Sequence, residues 1–129
     1  MPGNVSAGIG NLKVIAFSGL KDETHWVHME IFEGSYGGRL GKDGMDAVDT
    51  LYANTRNNPI EELDMRFPMR CDQYELRPEP AAPGKWRGGI GIIRRNRFLV
   101  DGTYSCEGDR QTDAPRGIFG TFAVNFGGI

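Results

Sequence analysis

Residues 24–32, Thr-His-Trp-Val-His-Met-Glu-Ile-Phe, alternate along the chain. A period of two is the signature of a strand, with Val27, Met29 and Ile31 on one face and Trp26, His28, Glu30 and Phe32 on the other. Residues 11–18 alternate more weakly. Leu12, Val14 and Ala16 fall on one face and Ile15 and Phe17 on the other, which suits a strand buried on both sides. Residues 19–23 between them read as a hairpin connection. From 33 to 44 the glycines Gly34, Gly37, Gly38, Gly41 and Gly44 break any regular element. This stretch is expected to be an ordered loop crossing close to other backbone, and is the best local candidate for a ligand or subunit contact.

Asn58-Pro59-Ile60-Glu61-Glu62 announces a short helix, with Asn58 as N-cap, Pro59 at its first position and Glu61 placed to close a capping box. Pro68 ends it, because the residue before a proline is driven out of the α region. Residues 69–76 are then extended. Three prolines between 78 and 83 make a non-helical connector. Residues 89–94 and 98–100 read as a hairpin turning at a basic tip around Asn96, with 103–106 as a third strand. The predicted fold is mainly β, a β-rich α+β chain forming an antiparallel meander or sandwich with Gly-rich loops and one or two short helices. Residues 1–129 form one domain, with 1–10 as a loose leader.

Composition adjusts this picture in a few places. A chain of 129 residues can bury roughly two thirds of the surface its unfolded form exposes, enough for a core. Nineteen glycines stand where average usage of about 7% gives roughly 9, so many backbone positions are expected in close approach or at positive φ. The net charge of -2 argues against nucleic-acid binding by bulk electrostatics. No apolar run approaches the ~20 residues of a membrane span, and the start of the chain lacks a basic and apolar leader, so no membrane partner and a cytosolic location are expected. Cys71 and Cys106 are read as reduced thiols.

Candidate chemistry is sparse. His25, His28, Cys71 and Cys106 are the right types for zinc, yet residues three apart on a strand point to opposite faces, so no metal site is assigned. His28 and Glu30 share a face and form a candidate polar pair, in which the carboxylate could orient the imidazole for proton transfer. The plainer reading is an exposed pair on an amphipathic strand. Lys85, Arg87, Arg94, Arg95 and Arg97 cluster around Trp86 and a Gly88-Gly89 pair. Lys85, Arg87, Gly88 and Gly89 are therefore candidates for anion binding, and a solvated hairpin tip accounts for the other three arginines. Asp43, Asp46 and Asp49 read as solvated carboxylates rather than a cation loop. Phosphate-binding and nucleophile-elbow motifs are absent from the sequence.

Three runs of residues stand apart from this bland inventory: residues 45–66, Glu33-Gly-Ser-Tyr-Gly-Gly-Arg39 with Lys42-Asp-Gly44, and Pro83-Gly-Lys-Trp-Arg-Gly-Gly-Ile-Gly91, followed by Gly117-Ile-Phe-Gly120. Together they resemble the hydantoinase B family, the B-type subunits of ATP-dependent hydantoinases, 5-oxoprolinases and acetone or acetophenone carboxylases. The resemblance covers residues 10–120 and corresponds to the C-terminal portion of much longer members. It implies a truncated or split B-type segment contributing to ATP-dependent hydrolysis of cyclic amides, hydantoin or 5-oxoproline. A segment of a ketone carboxylase and a free-standing ligand- or protein-binding module are the alternatives. It also implies ATP on an A-type partner subunit and a divalent metal in the N-terminal portion, so no cofactor and no catalytic or metal residue is carried over onto this chain. Residues 79–83, Glu-Pro-Ala-Ala-Pro, depart from the Asp-Ser-Gly-Gly-type run of many members, which leaves the substrate open. The expected partners are a second copy, or the remaining B-type portion and the A-type ATPase. Trp26, Phe32, Trp86 and the apolar residues Phe119, Phe122, Val124 and Phe126 are expected to supply the associating surface.

Overall fold

The computed structural model describes residues 13–49 and 55–108. The leader 1–10 and the apolar stretch 119–126 lie outside them. In chain order the elements are β1 (Lys13–Lys21), β2 (Thr24–Phe32), α1 (Ile60–Arg66), β3 (Met69–Leu76), β4 (Ile92–Phe98) and β5 (Gly102–Glu107). Two antiparallel sheets result, one of three strands in the order β2-β1-β5 and one of two strands, β3-β4. Among the described residues the chain adopts the predicted β-rich, antiparallel class, with one short helix, α1.

β1 and β2 form a hairpin in continuous register from Lys13↔Phe32 to Lys21↔Thr24. That leaves only Asp22 and Glu23 in the turn, at φ 49° and 62°. Two positive-φ residues are what a two-residue turn needs to match the right-handed twist of its strands. The connection is therefore tighter than the five residues expected from the sequence.

Residues paired across an antiparallel ladder share a face. Gly19, Trp26 and Gly102 line one face of the larger sheet together with Phe17, His28 and Tyr104, and with Ile15, Glu30 and Cys106. The β3-β4 sheet packs on this face. Phe17, Trp26 and Met69 are buried between the sheets with Ile15, Phe67, Phe98 and Val100 around them. The Phe98 ring meets Phe17 edge-on at 5.7 Å and Trp26 at 6.1 Å. Aromatic pairs at such spacings contribute beyond the area they bury.

Burial along β2 reverses the naive expectation. Trp26, His28 and Glu30 are buried, whereas Val27 and Met29 are 68% and 63% exposed. His28 and Glu30 thus form an internal pair, not the surface pair of the plainer reading. Trp26 is core rather than associating surface, and Phe32 and Trp86 are half-buried.

The helix is displaced by one residue from its predicted start. Pro59 occupies the N-cap, its carbonyl accepting from the amides of Glu62 (3.1 Å) and Leu63 (3.3 Å), and no side chain caps the first turn. The Asn58–Glu61 capping box does not form, because Pro59 at φ -54° and ψ 139° already lies outside the helix and carries Asn58 away from it. The end falls as predicted, at an extended Phe67 before Pro68. Leu63 is the buried anchor of α1, which packs on β3.

A second correction concerns the basic segment. β4 runs straight through Asn96 and pairs with β3 from Met69↔Phe98 to Leu76↔Ile92, so Arg94, Arg95 and Arg97 lie within a strand and not at a hairpin tip. β5 turns back to pair with β1, from Val14↔Glu107 to Gly19↔Gly102, rather than extending a meander beside β4. None of the helices among the described residues is long and apolar enough to cross a membrane.

Candidate functional site

The predicted pair is brought together inside the sandwich. His28 Nε2 lies 3.2 Å from Glu30 Oε1, a charge contact when the imidazole is protonated, but without the alignment of a hydrogen bond. The stronger partner of Glu30 comes from the opposite sheet. Arg94 Nη2 donates to Oε1 at 2.6 Å, and Asn96 Nδ2 donates to Oε2 at 3.3 Å. The Arg94 side chain is 1% exposed and that of Glu30 7%. Phe17 stacks parallel to the imidazole at 6.4 Å, and Phe67 lies 4.6 Å from it. In an interior this dry a single charge is costly, and the two opposite charges offset each other only because the geometry is close.

From Arg94 the polar chain continues to the surface. Its guanidinium lies 5.0 Å from the Tyr74 ring centroid and 5.7 Å from that of Phe32. The Tyr74 hydroxyl donates to Glu33 Oε1 at 3.0 Å, and Asn57 donates to both Glu33 and Tyr74. Burial, and then the neighbouring Glu33 charge, pushes the Tyr74 phenol above its ordinary value. One network therefore ties the end of β2, the approach to α1, and both strands of the smaller sheet.

Of the anion-binding candidates, Arg87, Gly88 and Gly89 are engaged within the chain. Both Asp46 oxygens receive the Arg87 guanidinium, at 2.8 and 3.1 Å. The amides of Arg87, Gly88, Gly89 and Ile90 donate to Asp43 Oδ1 (2.9 Å), the Ala82 carbonyl (2.9 Å), the Tyr36 carbonyl (2.7 Å) and Asp46 Oδ1 (2.7 Å). In return Gly44 N donates to the Arg87 carbonyl at 2.7 Å and Ala47 N to that of Ile90 at 2.9 Å. Lys85 stands apart, its ammonium 4.9 Å from the Trp86 ring centroid. The Arg87 fork, and then the Ile90 amide, hold the Asp46 carboxyl below the ordinary carboxylate range, and Asp46 in turn raises Arg87.

The two glycine-rich motifs thus face each other. A Cβ on Gly44 would sit 2.0 Å from the Tyr36 carbonyl oxygen, and one on Gly89 2.0 Å from that of Met45. Close backbone approach, not turning, is what requires glycine at both. Asp43, exposed as its solvated reading expects, and half-buried Asp46 both accept backbone amides across this joint. Asp49 Oδ2 accepts the Thr55 amide, and its carbonyl accepts the Tyr36 hydroxyl at 2.8 Å.

No group of three or more His, Cys, Asp or Glu among the described residues converges as metal ligands do. His25 and His28 fall on opposite faces of β2, and Cys71 and Cys106 are half-buried free thiols on different sheets. The divalent metal implied by the resemblance finds no fitting donor set here. An open, shallow depression runs along Phe98, Leu99, Val100, Asp101 and Gly102.

Sequence reasoning missed Arg94, Asn96, Tyr74, Glu33, Asn57 and Asp46 as parts of these networks. Only the first two carried a local signal. Read as one strand, residues 92–98 put Arg94 and Asn96 on the face of Phe98, the core face.

These features define a class: a strand-rich, antiparallel domain held by a loop-to-loop glycine joint and an internal ionic clamp. The chain belongs to the hydantoinase B/oxoprolinase family, whose model matches residues 1–127. It is 63% identical over 118 residues to a putative D-/L-hydantoinase B-type subunit of Pseudomonas sp. (strain NS671), covering 92% of this chain and 20% of that one. It is also 30% identical to a 5-oxoprolinase of Dictyostelium discoideum, over 72% of this chain and 7% of the relative. An uncharacterized protein of Methanocaldococcus jannaschii is 40% identical over 72% of this chain and 16% of its own. The chain thus spans a fifth or less of the length of these relatives. No solved structure matches it.

Proposed function

We propose that this chain supplies a β-sandwich domain of a hydantoinase B-type subunit. It works within a larger cytosolic assembly in which a partner subunit uses ATP and the ring of a hydantoin or 5-oxoproline is opened. The observation that carries this reading is the 63% identity to a hydantoinase B-type subunit over almost the whole chain, against one fifth of that subunit's length. Two of these relatives are named for cyclic amides rather than ketones, which favours the former as substrates.

The domain's own contribution is architectural. His28 and Glu30 are enclosed between two sheets, where a general base would have no reagent within hydrogen-bond reach. The anion candidates Arg87, Gly88 and Gly89 fasten one loop to another, and of the four candidates Lys85 alone is an exposed cation outside that joint.

The test is a chimera in which this chain replaces the matching stretch of the Pseudomonas protein, combined with that enzyme's ATP-using partner. ATP-dependent hydantoin opening within about tenfold of the parent is expected, and no substrate-dependent ATP turnover from the isolated chain. A folded, assembled chimera without activity, or turnover by the chain alone, overturns the reading.

A further inference from the structure

Antiparallel sheets that face water on one side place polar residues there. The β1–β2 part of the larger sheet does not. Its outward face carries Val14 and Ile31, Ala16 and Met29, Ser18 and Val27, and Leu20 beside His25, paired rung by rung across β1 and β2. Val27, Met29 and Leu20 are 68%, 63% and 52% exposed. The inward face carries the ionic clamp. The more hydrophobic face of β2 is thus the bare one, and since β5 puts Thr103, Ser105 and Glu107 on the same side of the sheet, the apolar stripe is confined to the β1–β2 hairpin.

We infer that the outward face of the β1–β2 hairpin is a docking surface for the remainder of a hydantoinase B-type subunit, forming the middle layer of a three-layer arrangement. This rests on the B-type reading above. The occupant follows from length. In the Pseudomonas relative the matching stretch is 20% of the chain, in the Methanocaldococcus relative 16% and in the 5-oxoprolinase 7%, so the same domain recurs embedded in far more polypeptide. Contiguous apolar patches of a few hundred Å² rarely stay uncovered on soluble proteins. The partner surface is correspondingly apolar and flat, because small residues, Ala16 and Ser18, separate the larger side chains of the stripe.

The test reads accessibility rather than activity. Val27→Cys and Met29→Cys are made in the isolated chain and in the full-length chimera, and maleimide labelling at each site is followed by peptide mass mapping. Labelling at both positions is expected to be at least tenfold slower in the chimera. Equal rates overturn the inference. So does slow labelling in the isolated chain: if light scattering shows a dimer, a second copy is the occupant, and if it shows a monomer, the chain covers its own face. Should the chimera not fold, the same cysteines at the aligned positions of the Pseudomonas protein give the reading, and fast labelling there is equally fatal. A chimera that is inactive yet protected would count against the proposed function while supporting the docking face.

Discussion

Glu30 and Arg94 together illustrate how a charge is kept inside a small sandwich. Each is almost fully enclosed, and each is the other's principal partner. Removing one partner strands a buried charge, so Glu30→Ala or Arg94→Ala should each lower stability by about 3–5 kcal/mol. A paired Glu30→Leu, Arg94→Met replacement should recover much of that loss, since an apolar pair of similar volume has no desolvation to offset. Urea titration of the two single variants and the double variant measures this, and additive losses would show that the charges act independently. The sequence brought His28 and Glu30 together because they are two apart on one strand. It could not supply Arg94, which lies 64 residues further on and joins the cluster only through tertiary packing.

At the scale of elements, β2 and β3 were legible to the residue, because alternation in one and the Pro68 boundary of the other are local signals. What was not legible was which face of β2 turns inward. Hydrophobicity favours Val27, Met29 and Ile31, yet the opposite face wins, since it offers Trp26 and a carboxylate that the second sheet can satisfy. β4 was misread because arginines resemble a solvated turn when their partners, Glu30 for Arg94 and Asp72 for Arg97, are distant in sequence. The β1–β2 turn makes a direct prediction. Glu23 holds φ 62° without being glycine, a conformation costing an L-residue about 1–2 kcal/mol. Glu23→Gly should therefore raise stability by about 0.5–1 kcal/mol after the extra entropy of an unfolded glycine is deducted. Thermal unfolding of the variant checks this, and a lower midpoint would mean the Glu23 side chain contributes more than its backbone costs.

Across the whole molecule, the joint between residues 36–48 and 86–90 connects segments that no local pattern linked, although both had drawn notice for their glycines. Asp46 sits at its centre. Its carboxyl titrates below the ordinary 3.8 because the Arg87 fork and the Ile90 amide favour the charged form. A depressed acid stabilises the fold above its unfolded value and loses that contribution as pH falls through the folded one. Asp46→Asn should therefore be less stable than the parent at neutral pH, with the difference shrinking as pH drops below 3.8. Denaturation midpoints at several pH values test the sign, and a gap that is constant with pH would count against the assignment.

The pairing of β5 with β1 has a consequence in time. Gly102 meets Gly19 and Glu107 meets Val14, so the larger sheet cannot close until nearly the whole described span has left the ribosome. Contacts so far apart in sequence form late, whereas a hairpin with a two-residue turn forms early. During synthesis the two faces of the β1–β2 hairpin form before the second sheet does. One of them, with Val27 and Met29, is an invitation to aggregate. The other carries Phe17 and Trp26, the core of the finished domain, and only His28 and Glu30 among them lower its apolar character until Arg94 arrives.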